Sequence, residues 1–392
     1  MKKCLIPLGI VLCLQSQAGA ADTLKVGLLA VDKGVFAPVD EYYHVAAKLA
    51  VETLNAQGGI LGKQVELVRL THAGTPATAL AAATRLAQQE KVSVMTGFNN
   101  SAMAQAIAPR LSSLNAVLID ASTLNDELIN TTCYSHYFRV TAPDSQAVNM
   151  LGQVIKESNL KSWSFIASES AQGRNLESAF KVMVEKAGGT VGKSILVPYN
   201  TADFGSYITQ LATSPTEGLM IGVQSGDAIT FSKQQKQFGL FDKFRKVLST
   251  YGFTNDMALR FQGDATVGVT FAGDYLPGVP YGAKNDAFVK LYKERIGREP
   301  NYLEANTWVS FELIKAAAEL SGKSDANALR AALAKLKTNT IYGDVSMRPD
   351  HQLLRPTVVA KIEAQPSGRA KATLIRSEAG NGMAPPVRIN CN

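Results

Sequence analysis

Beyond the first twenty residues, short apolar runs rich in β-branched residues alternate with stretches whose apolar positions recur at helical spacing. That alternation is the pattern of parallel sheets covered by helices on both faces. Residues 23–30 read as a strand. Over 45–56, Ala46, Leu49, Ala50 and Leu54 share one helical face, and Gly58-Gly59 marks the stop. Strands over 64–70, 92–96 and 116–120 interleave with helices over 77–88 and 102–111, which makes one doubly wound unit. Residues 31–44 read as a loop carrying Phe36, Tyr42 and Tyr43, aromatics placed either to line a cleft or to pack beneath the loop.

A second series follows an extended segment at 137–140. Helices over 146–156, 176–187, 206–212 and 228–238 alternate with strands over 162–167, 194–197, 218–223, 246–248 and 267–271. The third section, 284–296, 303–321 and 326–336, is helical with almost no strand between. Helices without their own sheet must cover another, so this section returns to the first unit. Residues 345–362 read as extended and lead back to the second, and the Gly, Ala and Pro-rich tail from 366 reads as irregular.

The expected fold is therefore α/β: two doubly wound lobes joined by a hinge of several strands, which the chain crosses near 141, 273 and 346. Lobe one comprises 21–141 plus 273–346, and lobe two 142–272 plus 347–392.

Residues 1–20 change the picture of where the chain works. Lys2 and Lys3 precede an apolar run over 5–14, and Ala18-Gly19-Ala20 supplies small residues for cleavage before Ala21, as in a secretory signal segment. The run of about ten residues is half the roughly twenty that a membrane-spanning helix needs. Leu12, ahead of Cys13, is not the small residue that lipoprotein processing wants. Cleavage after Ala20 leaves roughly 370 residues, enough for two domains, and lowers the formal charge from +7 to +5. The densest basic stretch, 233–246, is interrupted by Gln, Phe, Gly and Asp and reads as a solvated helix face, so charge does not point to nucleic acid. Only Cys133 and Cys391 remain in the mature chain, and in an oxidising compartment they are expected to pair.

Catalytic signatures are thin. Ala187-Gly188-Gly189-Thr190-Val191-Gly192-Lys193-Ser194 approaches a phosphate-binding loop, but its first glycine is Ala187 and it joins helix to strand instead of strand to helix. Gly188-Gly189 serves there as a helix stop. The four histidines (His44, His72, His136, His351) form no H-E-x-x-H arrangement, and no C-x-x-C occurs. In Gly222-Val223-Gln224-Ser225-Gly226 the serine stands one place late for a hydrolase nucleophile elbow. No cofactor or metal is implied.

Asn55-Ala56-Gln57-Gly58-Gly59-Ile60-Leu61-Gly62, the helix opening after Gly97, Tyr137-Phe138-Arg139-Val140, Thr201-Ala202-Asp203-Phe204 and Tyr342-Gly343-Asp344-Val345 follow one another in an order that resembles the type I periplasmic binding proteins. The match is nearest to their branched-chain amino-acid group, which serves ABC importers. The resemblance implies two lobes closing over a small ligand at facing strand ends, where such sites lie. In lobe one it points to Asn99, Asn100 and Ser101, and to Ala121, Ser122 and Thr123, the last segment uncertain in register by one residue. The Ser101 hydroxyl and first-turn N–H groups would hold a carboxylate, although Ser101 could equally cap its helix. In lobe two it points to Gln172, Gln224, Ser225 and Tyr251. Relatives carry Asp-Tyr-x-Tyr-Gly at the turn where this chain has Glu169, Ser170 and Gln172. An ammonium without an acid partner is costly to bury, so a carboxylate lacking it, or an amide, becomes admissible.

The expected function is thus a periplasmic, monomeric solute-binding protein that partners ABC permease subunits and binds a small carboxylate, an amino acid or related organic or aromatic acid. A ligand-binding module of a sensor or receptor, and an exported α/β enzyme, are the competing readings.

Overall fold

The computed structural model describes residues 23–97, 100–250, 263–366, 370–378 and 380–391. Five parallel strands, β1 (Thr23–Val31), β2 (Gln64–His72), β3 (Val94–Gly97), β4 (Val117–Asp120) and β5 (Tyr137–Arg139), form a first sheet in the order β2-β1-β3-β4-β5. A second sheet contains β6 (Ser162–Ser168), β7 (Thr190–Val197), β8 (Gly218–Gly222), β9 (Lys246–Thr250) and β10 (Thr270–Gly273). These five repeat the first topology as β7-β6-β8-β9-β10. The two α/β lobes expected from the alternating pattern are present.

Between β10 and the rest of the second sheet the chain makes a small antiparallel sheet, β11 (Lys337–Thr340), β12 (Gly343–Met347) and β13 (Leu353–Leu354). Then β14 (Thr357–Ala364) and β15 (Ala370–Glu378) add antiparallel to β10. β15 corrects the expectation of an irregular tail. Its inward residues, Ala370 and Ala372, are buried alanines, too small to give a strong alternating signal.

Helices α1 (Ala37–Ala56), α2 (Pro76–Gln88) and α3 (Ser101–Ile107) flank the first sheet. α1 overturns the loop expected over 31–44. Pro38 suits a helix's first turn, and the Asp40 carboxylate accepts the Val31 N–H at 2.6 Å and the Arg69 guanidinium at 2.7 Å, tying helix to sheet. Tyr42 and Tyr43 lie on its core face, each 1% exposed.

Helices α4 (Glu127–Asn130), α5 (Asp144–Ser158), α6 (Ala171–Lys186), α7 (Gly205–Ala212) and α8 (Ser225–Gln237) follow. After them come α9 (Ala283–Ile296), α10 (Tyr302–Ser321) and α11 (Ala326–Leu333), of which α10 packs on α1 and β3, and α11 on β4. The Asn301 and Glu304 side chains close a reciprocal cap at the start of α10. Among the described residues no helix is long and apolar enough to cross a membrane.

Where the chain passes between sheets, one buried ion pair gathers the passing segments. Arg355 donates to the Val140 carbonyl at 3.0 Å and the Asp274 carbonyl at 2.7 Å, and its guanidinium meets the Asp274 carboxylate at 2.5 Å. That carboxylate also accepts the Ala142 N–H at 3.2 Å and the Asn306 amide at 2.8 Å. Tyr342 donates to Asn306 at 2.5 Å and lies 4.3 Å under the guanidinium. The sequence put the third passage near 346. Residues up to Gln352 instead hold the first sheet's edge, because Arg139 donates its N–H to the His351 carbonyl at 3.0 Å and its side chain to Gln352 at 2.7 Å. The expected Cys133–Cys391 disulfide is present, with Cα atoms 5.3 Å apart.

Candidate functional site

One cleft collects strand ends from both sheets. Asn100, Ser101 and Ala102 follow β3, and Ser122, Thr123 and Leu124 follow β4; facing them stand Ser170, Ala171 and Gln172 after β6, Tyr199 after β7 and Gln224 after β8. In the second sheet this is the switch point between β6 and β8, where the strand order reverses, and in the first it lies beside β3, one strand of the β1/β3 reversal.

Backbone chemistry fixes each wall. Asn100, not Ser101, caps α3: its side-chain oxygen accepts the Ala102 N–H at 2.8 Å, and its carbonyl accepts those of Met103 and Ala104. Ser101 is the first helical residue, 5% exposed, and its Oγ accepts the Asn125 N–H at 3.4 Å. Below it the buried Asp120 carboxylate accepts the Ser122 N–H at 2.9 Å and the Thr123 N–H at 3.0 Å, as well as the Thr123 and Tyr137 hydroxyls. Burial raises the Asp120 carboxyl above its usual range, against these hydrogen bonds. The Thr123 hydroxyl is therefore spent on Asp120, while Ser122 bonds the buried Tyr43 hydroxyl.

On the opposite wall Ser170 caps α6 by accepting the Gly173 N–H at 2.9 Å. Gln224 precedes α8 and donates its N–H to Ser168 at 3.1 Å. Ser225 takes the left-handed φ of 50°, a conformation a serine seldom adopts. Tyr199 reaches across the cleft. Its hydroxyl donates to Gln224 at 2.9 Å, and its ring meets Phe36 edge-on at 5.6 Å. Burial pushes this hydroxyl up to about 12. Nearby, burial lifts the Asp227 carboxyl to about 6 although it accepts the Asn200 N–H.

Of the residues named from sequence, Asn100, Ser101, Ser122, Thr123, Gln172 and Gln224 come together here. Ala121 does not: it is fully buried, and its carbonyl accepts from Thr141 and Asn306 in the hinge. Ser225 lies behind Gln224, outside the lining. Asn99 and Tyr251 lie outside the described residues. Tyr199 was missed because the strand was read as ending at Val197, although a position just past a strand's carboxyl end is where the topology places ligands. Glu169, one of the residues by which the turn departs from the pattern of relatives, is exposed.

The walls approach closely. The cavity left between them is about 30 Å³. Asn175 of α6 reaches over to Asp126 at 2.7 Å. A larger cavity of about 430 Å³ lies between α1, α9, α10 and β11 on one lobe only, lined in part by Phe288, Trp308 and Glu312. Burial lifts Glu312 to about 7, although it accepts the Ile341 N–H at 3.0 Å. A carboxyl raised in the fold above its unfolded value is carried neutral at low pH and costs stability as pH rises through the folded value. Glu312→Gln should therefore raise the melting temperature at pH 8 and leave it nearly unchanged at pH 4.5. An equal shift at both values would refute a buried carboxylate there.

A sequence profile described as periplasmic binding protein matches residues 23–369. The Leu/Ile/Val-binding protein homolog 3 of Brucella melitensis is 26% identical over 321 residues, which cover 82% of this chain and 84% of that protein. A solute-binding protein of an ABC transporter from Rhodopseudomonas palustris BisB5, solved with 3,4-dihydroxybenzoic acid, superposes with a TM-score of 0.83 at 24% identity, over 92% of this chain and 98% of that one. Another from R. palustris, solved with benzoate, gives 0.84 at 21% identity, over 93% and 98%.

Proposed function

The chain belongs to the periplasmic binding protein family, and we propose that it is the solute-binding component of an ABC importer, holding a small carboxylate between its lobes without chemical change. The ligand is an amino acid or a related organic or aromatic acid, the classes named for its relatives and structural neighbours. The family works in the periplasm; release there follows cleavage after Ala20, and the mature protein acts as a monomer that docks on the permease. Lobe one comprises 21–141 and 273 to about 355, and lobe two the remainder. Asn100, Ser101, Ser122, Thr123, Gln172 and Gln224 form the binding surface, with Asn99 and Tyr251 as further contacts.

The observation that carries this reading is the cleft where strand ends of both sheets face each other, lined by neutral hydroxyl and amide groups. A ligand bridging two such walls favours the closed arrangement in proportion to its contacts with both, and closure gives a permease a surface that spans the lobes. A thermal-shift panel of amino acids, aromatic acids, dicarboxylates and amides tests it. At a hundredfold excess over its dissociation constant, a true ligand stabilises by about 2.7 kcal/mol. Ser101→Ala should weaken that ligand about tenfold, the order expected for losing a hydrogen bond to a charged group. Turnover of the ligand would favour an enzyme instead.

A further inference from the structure

Four side chains on the second-lobe wall form one directed hydrogen-bond chain. The Gln172 amide donates to Asp144 at 2.8 Å, the Gln224 amide donates to the Gln172 oxygen, and the Tyr199 hydroxyl donates to the Gln224 oxygen at 2.9 Å. Both ends pin its direction. At one end both oxygens of the fully buried Asp144 accept, one from Gln172 and the other from the Asn175 amide at 3.3 Å, although burial and the neighbouring Asp126 raise this carboxyl well above the usual range. At the other, the Tyr199 hydroxyl has a single proton, and it goes to the Gln224 oxygen.

The direction decides what the cleft presents. Each glutamine oxygen is engaged, and each glutamine nitrogen keeps a second N–H. Across the cleft Ser101 accepts from Asn125, which leaves its own proton to donate. Among the described lining residues there is no carboxylate. A ligand carboxylate therefore meets donors from both lobes, while an ammonium would find, among the described lining side chains, hydroxyl oxygens but no carboxylate to balance its charge.

We propose that Asp144, acting through Gln172, Gln224 and Tyr199, is a positioning residue that makes this wall a donor surface and so selects carboxylates that lack an α-ammonium over the matching amino acids. The inference rests on the cleft being the ligand site proposed above. It narrows that reading to carboxylates without an α-ammonium.

Calorimetric titration of matched pairs tests it, using 4-methylpentanoate against leucine and 3-phenylpropanoate against phenylalanine. The wild-type protein should bind the deaminated member at least tenfold more tightly in a pair that binds at all. Asp144→Asn offers Gln172 either an acceptor or a donor, so the chain can run both ways and the ratio should fall to threefold or less. Tyr199→Phe removes the proton at the other end, frees the Gln224 oxygen to accept, and should lower the ratio as well, which keeps the test decisive if the Asp144 variant folds poorly. Tighter binding of the amino acids, or a tenfold ratio retained in the folded variants, overturns the inference and leaves a carboxylate-binding protein standing. Binding of neither member of either pair overturns the inference, and the wider panel of aromatic acids, dicarboxylates and amides then decides the proposed function.

Discussion

Arg355→Met should lower the unfolding free energy by about 3 to 5 kcal/mol, the cost typical of removing one partner from a buried ion pair. Asp274 would lose its cation partner in a place with no exposure to water, and the Val140 and Asp274 carbonyls would lose their donor. Tyr342 would lose the cation stacked on its ring. Asp274→Asn combined with Arg355→Met should be less damaging than the two single changes added together, since the double change leaves no orphaned charge. Urea unfolding of the four proteins measures this. A single-variant loss under 1 kcal/mol would show that the segments passing between the sheets are held by something else.

Gly173→Ala should weaken ligand binding more than tenfold while leaving most of the fold intact. A methyl built on Gly173 would lie 1.9 Å from the Ser168 carbonyl oxygen, far inside van der Waals contact, so the first turn of α6 must move. That turn carries the Ser170 cap and Gln172, hence the start of the amide chain. Gly278→Ala is the matching control, because nothing lies within 4 Å of its added methyl. Affinity of the Gly173 variant within twofold of the wild type, by titration with the ligand found in the panel, would mean that the α6 turn does not shape the site.

Much of the architecture was readable because each strand and helix carries its own period. Leu49, Ala50 and Leu54 fall on one helical face whatever surrounds them, and all three are buried. The early start of α1 escaped because adjacent tyrosines resemble loop aromatics. Yet Val39, Tyr42, Tyr43 and Ala46 continue the same helical spacing, and all are buried. In the site, Ser101, Ser122 and Gln224 could be placed because they follow strand ends directly. The polarity of the wall could not. It depends on Asp144, Gln172, Tyr199 and Gln224 meeting in space, and nothing local marks residue 144 as the partner of residue 172. Ala121 falls one position short of the lining, because the first residue after β4 still packs in the core and the cleft begins at Ser122.

The disulfide joins residues 258 positions apart, and all three passages between the lobes fall inside the ring it closes. A protease that cuts once anywhere from 134 to 390 therefore leaves one covalent molecule, with both halves still attached. Shedding a fragment requires either a second cut or a reductant.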